Sequence, residues 1–251
     1  MLTFRDVSFQ YEAEDFDIVD KLSFDVQAGE FVSIIGASGC GKSTIFRLTS
    51  QLLARKAGDI LVDGKSIDGR SGYCGYMPQR DLLFPWRTVG DTLRLPLEIA
   101  GKLSDAEMDI RVKETLAHVG LAGLENQRPA ELSGGMRQRA AFARTLLTDS
   151  DLLLLDEPFS ALDFLTRITM QEWLLGQWQD GGKTVLFITH DVEEAIFLSS
   201  RVLVVTDSPI RRLLSFDVPA HYPRTRACLS NHSMYNLRET LIDLLRKEDL
   251  P

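Results

Sequence analysis

The chain has 251 residues, 44% of them hydrophobic and 25% charged, and carries a formal net charge of -8. That length buries a sizeable core as one large domain or two lobes, and the acidic balance argues against broad binding to nucleic acid, whose phosphates need lysine and arginine. Cys40, Cys74 and Cys228 form no close pair, so no disulfide framework or zinc site is expected and a reducing compartment is.

The opening residues MLTFRDVSF lack the charged-then-apolar pattern of a secretory leader, and no apolar run approaches the ~18 residues of a membrane span. Residues 3–11 alternate loosely and end in Tyr11. Leu22, Phe24 and Val26 share one face at period two, and Ala28-Gly29-Glu30 is a turn before the apolar strand Phe31 to Ile35. A first helix is expected over 43–53, with Ile45, Leu48, Leu52 and Leu53 inward. Ile60 to Val62 and Tyr73 to Met77 read as short strands between glycine-rich turns.

Residues 88–148 read as mostly helical. Pro96 is expected to end or kink the first helix there. Ser104 and Glu107 form a capping box ahead of Met108, Val112, Leu116 and Val119, and another helix begins near Gly135. Four leucines at 152–155 read as a strand buried on both faces, followed by a helix over 163–178. A strand at 184–188, a helix at 191–199 and a strand at 201–205 complete the alternation. Residues 207–229 look irregular, and Leu237, Leu241, Leu244 and Leu245 stripe a last helix for core or subunit packing. Alternating strands and helices predict an α/β chain with a mostly parallel sheet, one strand-rich lobe near the N-terminus and one inserted helical lobe.

The chemistry concentrates at Gly36-Ala37-Ser38-Gly39-Cys40-Gly41-Lys42-Ser43-Thr44, which fits the phosphate-cradling pattern between a strand and a helix. Backbone N–H groups from Ser38 to Thr44 can wrap a triphosphate at a helix N-terminus. Lys42 is expected to reach the β- and γ-phosphates, and Ser43 to offer its hydroxyl to Mg²⁺, with Thr44 supporting the loop. Asp156, at the end of the leucine strand, can hold Mg²⁺ directly or through water, and Glu157 can polarise an attacking water. His190 can reach the γ-phosphate, while Gln79 contacts either Mg²⁺ or the attacking water. Ser133, Gly134 and Gly135 at another helix start make a second anion-binding constellation. Two such half-sites in one chain suggest a symmetric dimer in which each site takes one half from each copy.

Together these residues resemble the ATP-binding subunit of ABC transporters over residues 3 to 206. The matching segments are GASGCGKST at 36–44, Gln79, LSGGMRQR at 132–139, LLLLDEP at 152–158, SALD at 160–163 and His190. The resemblance implies a P-loop NTPase core with an N-terminal antiparallel β subdomain and an inserted helical subdomain at about 88–148, the cassette spanning 1–206. Residues 207–251 would be an extension packed on the same domain. It implies ATP and Mg²⁺ as cofactors, and Tyr11 against adenine. Two ATPs would be sandwiched between two copies, with Asp163 at the seam.

Finer resemblance points to the nitrate, sulfonate, taurine and bicarbonate importer group, which includes pyrimidine-precursor uptake systems. It rests on LLFPWRTV at 82–89 and THDVEEAIFLSSRVLV at 189–204. Leu83, Phe84, Pro85 and Trp86 would meet a transmembrane permease at the cytoplasmic face of the membrane, with a solute-binding protein outside as an indirect partner. An exporter ATPase and a DNA-associated ATPase are the alternatives. The interval from Thr44 to Leu132 has no sustained heptads for the coiled coil of the latter. After residue 207 the chain departs from the group, and it is too short for the large C-terminal barrel of many sugar importers.

Overall fold

The computed structural model describes residues 1–248. In chain order the elements are β1 (Leu2–Phe9), β2 (Val19–Val26), β3 (Phe31–Ile35), α1 (Lys42–Thr49), β4 (Ala57–Val62), β5 (Lys65–Ser66) and β6 (Cys74–Met77). The helices α2 (Val89–Ala100), α3 (Asp105–His118) and α4 (Gly134–Leu146) follow, then β7 (Leu152–Asp156), α5 (Phe164–Gly181), β8 (Thr184–Ile188), α6 (Val192–Leu198), β9 (Arg201–Val205), β10 (Leu213–Asp217) and α7 (His232–Glu248). They form two compact units, one made of Met1–Ser71 with Leu174–Pro251, the other of Gly72–Trp173.

The first unit holds an antiparallel sheet in the order β2-β1-β4-β5. Its register sets Leu2 opposite Val26 and Val62, and Phe4 opposite Phe24 and Ile60. Phe4 and Phe24 stack with ring centroids 4.6 Å apart. The same unit carries β3 between β8 and β9, all parallel, with all five residues of β3 and of β8 buried. Such continuous apolar runs are what a sheet covered on both faces requires.

Residues 213–217, expected to be irregular, form β10 and pair antiparallel with β9, Leu214 opposite Val204. Leu214 and Phe216 alternate onto an apolar cluster with Ile35, Ile196, Val202, Val204, Met234 and Leu241, which α7 closes through Leu237 and Leu245. The apolar stripe of the last helix therefore packs in the core of this unit. The period-two pattern of LLSFD was a readable strand signal, masked by the prolines around it.

The segment after β10 is fastened by a buried arginine. The Arg224 guanidinium donates to the carbonyls of Ile196 (3.1 Å), Phe197 (3.2 Å) and Ser199 (2.8 Å), and its Nε to Ala220 (3.0 Å). It thus supplies donors to the orphan carbonyls at the end of α6. Tyr222, 4.0 Å beneath the guanidinium, donates its hydroxyl to the carbonyl of Leu198 (2.8 Å) and packs on Trp178. Burial lowers the Arg224 pKa and raises that of Tyr222. Arg224→Ala leaves several buried carbonyls without donors, so it is expected to cost about 2–4 kcal/mol of stability. Urea unfolding measures this, and Arg224→Lys, with three donors on a point charge, is expected to recover only part of the loss.

In the second unit β6 and β7 pair in parallel, Cys74 opposite Leu152 and Met77 opposite Leu155. Thr88 and Ser104 cap α2 and α3, each with a complete capping box. Of the two outcomes expected at Pro96, an end to the helix does not occur, and the expected inward face of α1 changes. Helix α2 runs through Pro96 to Ala100 and ends at Gly101, because buried Leu93 and Leu97 anchor the turns on both sides of the proline. In the first unit, α1 stops at Thr49, so Leu52 lies outside it and is 65% exposed instead of facing inward.

Candidate nucleotide site

In the first unit, β3 delivers the chain to Gly36, where a Cβ would stand 2.9 Å from the Val205 Cβ. Only glycine passes there, which explains the loop's first residue. At its far end Gly41, left-handed at φ 100°, is the N-cap of α1, and no side chain caps that helix. The N–H groups of Lys42 and Ser43 are thus left without a side-chain cap at the positive end of the helix dipole, an arrangement suited to phosphate oxygens. Lys42 is 7% exposed, and its ammonium folds back to donate to the carbonyls of Gly36 (2.8 Å) and Ala37 (2.7 Å). Ser38 and Gly39 form the exposed rim, while Ala37, Cys40 and Ser43 are half-buried.

Tyr11, the expected adenine partner, sits beside this loop. Its hydroxyl and the Thr44 hydroxyl are hydrogen-bonded at 3.2 Å, and its ring meets Phe9 edge-on. His190 follows β8 on an exposed corner. The corner is braced on both sides: buried Thr189 donates its hydroxyl to Glu194 and accepts from the Asp191 N–H (3.0 Å), and Asp191 caps α6.

In the second unit, Asp156 is 2% exposed at the end of β7. Glu157 turns the chain at φ 48°, and its carboxylate accepts from the Gln79 amide at 3.1 Å. The expected water-activating acid and the glutamine after β6 are therefore direct partners. Ser133 caps α4 by accepting from the Met136 N–H (3.3 Å), and Ser133 and Gly134 are exposed. A Cβ on Gly135 would lie 3.2 Å from the Ala161 carbonyl oxygen, so the start of α4 packs closely on the loop after Glu157. Asp163, exposed, accepts from the Thr166 N–H (3.0 Å), and bonding from Thr166 holds its pKa below the usual carboxylate range.

Helix α4 contributes more than was read from the sequence. The Gln138 amide donates to the Glu157 carbonyl (3.1 Å) and accepts from the Ala161 N–H (2.8 Å). Arg137 donates to the Asp81 carboxylate (3.1 Å), and Arg144 to the carbonyls of Leu82 (2.9 Å) and Asp81 (3.1 Å). Burial lowers the Arg144 pKa. These polar residues within an otherwise apolar, alanine-rich helix were the available signal. The loop they hold displays Leu82, Phe84 and Trp86 at 58%, 37% and 69% exposure, with the two rings 5.3 Å apart. Pro85 is exposed too, but Leu83, expected on the same surface, turns inward and is 9% exposed, just after the chain passes through left-handed Leu82 at φ 45°.

Each unit carries donors of the kind that ATP with Mg²⁺ uses: in the first an uncapped helix start, a buried ammonium and the Ser43 hydroxyl, in the second the side-chain oxygens of Gln79 and Asp156. No group of three or more His, Cys, Asp or Glu residues that could hold a metal occurs among the described residues.

The family model for the ABC transporter matches residues 19–160. The chain is 44% identical over 219 residues to the formylaminopyrimidine import ATP-binding protein ThiZ of Halalkalibacterium halodurans, covering 87% of this chain and 85% of that protein. It is 37% identical over 244 residues to the aliphatic sulfonates import ATP-binding protein SsuB of Bacillus cereus, covering 96% and 94%. Among solved structures it is similar to a dimeric post-hydrolysis state of the ATP-binding cassette MJ0796 bound to ADP and Pi, with a TM-score of 0.79 at 27% identity, covering 88% of this chain and 100% of that one. Sequence and fold agree over most of the chain: it belongs to the ABC transporter family, as an ATP-binding ATPase subunit with the α/β P-loop NTPase fold, its N-terminal antiparallel β subdomain and its inserted helical subdomain.

Proposed function

We propose that this subunit hydrolyses ATP to ADP and phosphate to power import of a small solute of the nitrate, sulfonate or taurine type through a membrane permease. Lys42 and the N–H groups of residues 38–44 hold the triphosphate, with Tyr11 against the adenine. Glu157 takes the proton of the attacking water, which Gln79 and His190 help to place. Ser43, Gln79 and Asp156 would hold Mg²⁺, which when bound would supply charge neutralisation on the phosphate oxygens. Ser133, Gly134 and Gly135 face the triphosphate held by Lys42 of a second copy, and Asp163 lies at that seam. The MJ0796 cassette, dimeric in its ADP and Pi state, supports this arrangement. Residues 1–206 act as the cassette, and 207–251 as an extension that braces it through β10 and α7.

The observation that carries the transport reading is the exposed Leu82, Phe84, Pro85 and Trp86 patch, held by arginines to the helix that begins with Ser133-Gly134-Gly135. Large apolar side chains of this kind mark a docking surface, here for a short cytoplasmic helix of the permease. No described helix is long and apolar enough to cross a membrane. On this reading the subunit works at the cytoplasmic face as a peripheral partner of the permease, with the extracytoplasmic solute-binding protein reached only through it. The import ATP-binding proteins of Halalkalibacterium halodurans and Bacillus cereus support import over export.

Phe84→Ser with Trp86→Ser is expected to leave ATP affinity unchanged while permease recovery in a pull-down falls about tenfold or more, as for loss of central aromatic anchors. Unchanged recovery removes this surface as the docking site.

A further inference from the structure

Glu157 is a non-glycine residue in the left-handed region, a conformation that persists only when its surroundings hold it. Its carbonyl accepts from the Gln138 amide (3.1 Å), the Ser160 hydroxyl (3.0 Å) and the Ser160 N–H (3.3 Å). Gln138 also donates to Ser160 Oγ (3.0 Å) and accepts from the Ala161 N–H (2.8 Å). This side chain is 5% exposed and lies one turn after Ser133-Gly134-Gly135. The close approach of Gly135 to the Ala161 carbonyl seats the same turn from the helix start.

The Gln138 amide donates and accepts at once, which neither leucine nor an ionised glutamate can do. Leucine would fill the volume and leave the Ala161 N–H without its acceptor; glutamate would keep the acceptor and lose the donor.

We infer that Gln138 is a positioning residue that locks the Glu157–Ala161 turn to the start of α4, so that contact made by Ser133–Gly135 and the aim of the Glu157 carboxylate change together. This rests on the reading in which Ser133–Gly135 meet the ATP of the second copy. One side-chain amide then lets each nucleotide's arrival adjust the acid that serves the other.

The test uses the full-length chain with Gln138→Leu, Gln138→Glu and Ser160→Ala. Gln138→Leu is expected to lower kcat about tenfold to a hundredfold with KM for ATP little changed, the effect of a misaimed catalytic group. Gln138→Glu falls between, and Ser160→Ala, at an exposed position that does not threaten folding, shifts kcat in the same direction by less. If Gln138→Leu does not fold, the other two variants decide.

In a Glu157→Gln background, Gln138→Leu is expected to raise the ATP concentration needed for dimerisation, read by size-exclusion with light scattering. Unchanged kcat in all variants that fold, with only melting temperature moving, overturns the inference and leaves Gln138 as core packing. Failure of Glu157→Gln alone to dimerise with ATP instead sinks the two-copy reading, and the inference with it.

Discussion

Replacing Glu157 by glutamine is expected to reduce ATP turnover by roughly 10²–10⁴-fold while ATP still binds, and to convert the chain into an ATP-loaded dimer that no longer falls apart. The amide keeps the size of the carboxylate and can still bond Gln79, so the left-handed turn and the bond at 3.1 Å give no reason for unfolding. What it loses is proton-accepting capacity toward the attacking water. With hydrolysis stopped, the terminal phosphate that joins two copies stays in place. Phosphate release at steady state measures the first effect, and light scattering with ATP and Mg²⁺ the second. A chain that remains monomeric removes the sandwich from the mechanism.

Lys42→Ala is expected to weaken ATP binding by about 10–100-fold, because a charge-assisted hydrogen bond contributes about 1.5–3 kcal/mol and each 1.4 kcal/mol is tenfold. The ammonium also donates to the carbonyls of Gly36 and Ala37, so the phosphate is one partner among several for Lys42. ADP, which lacks the γ-phosphate, is expected to lose less than ATP. Calorimetric titration with both nucleotides checks the ordering, and an equal loss for the two would place the lysine away from the terminal phosphate.

The parts of the fold written in continuous apolar runs were legible in advance. Phe31 to Ile35, Leu152 to Leu155 and Thr184 to Ile188 admit little besides buried parallel strands. The capping boxes at Thr88 and Ser104 are local chemistry, and the second of them was readable from its spacing alone. Tertiary packing decided the rest. Pro96 stays inside α2 because both flanking leucines are buried, and β10 exists because β9 and α7 give Leu214 and Phe216 somewhere to pack. The polarity of Gln138 and Arg144 was visible but their roles were not, for the same reason: their partners are backbone atoms 19 and more than 60 residues away.

Arg144 grips the exposed loop through the main-chain carbonyls of Asp81 and Leu82, not through the side chains the loop displays. Residues 84–86 can therefore diverge while the clasp beneath them endures. Under the proposed docking of this patch on a permease, a lineage could re-address the engine to a new membrane partner by altering a few outward-facing groups above an unchanged clasp.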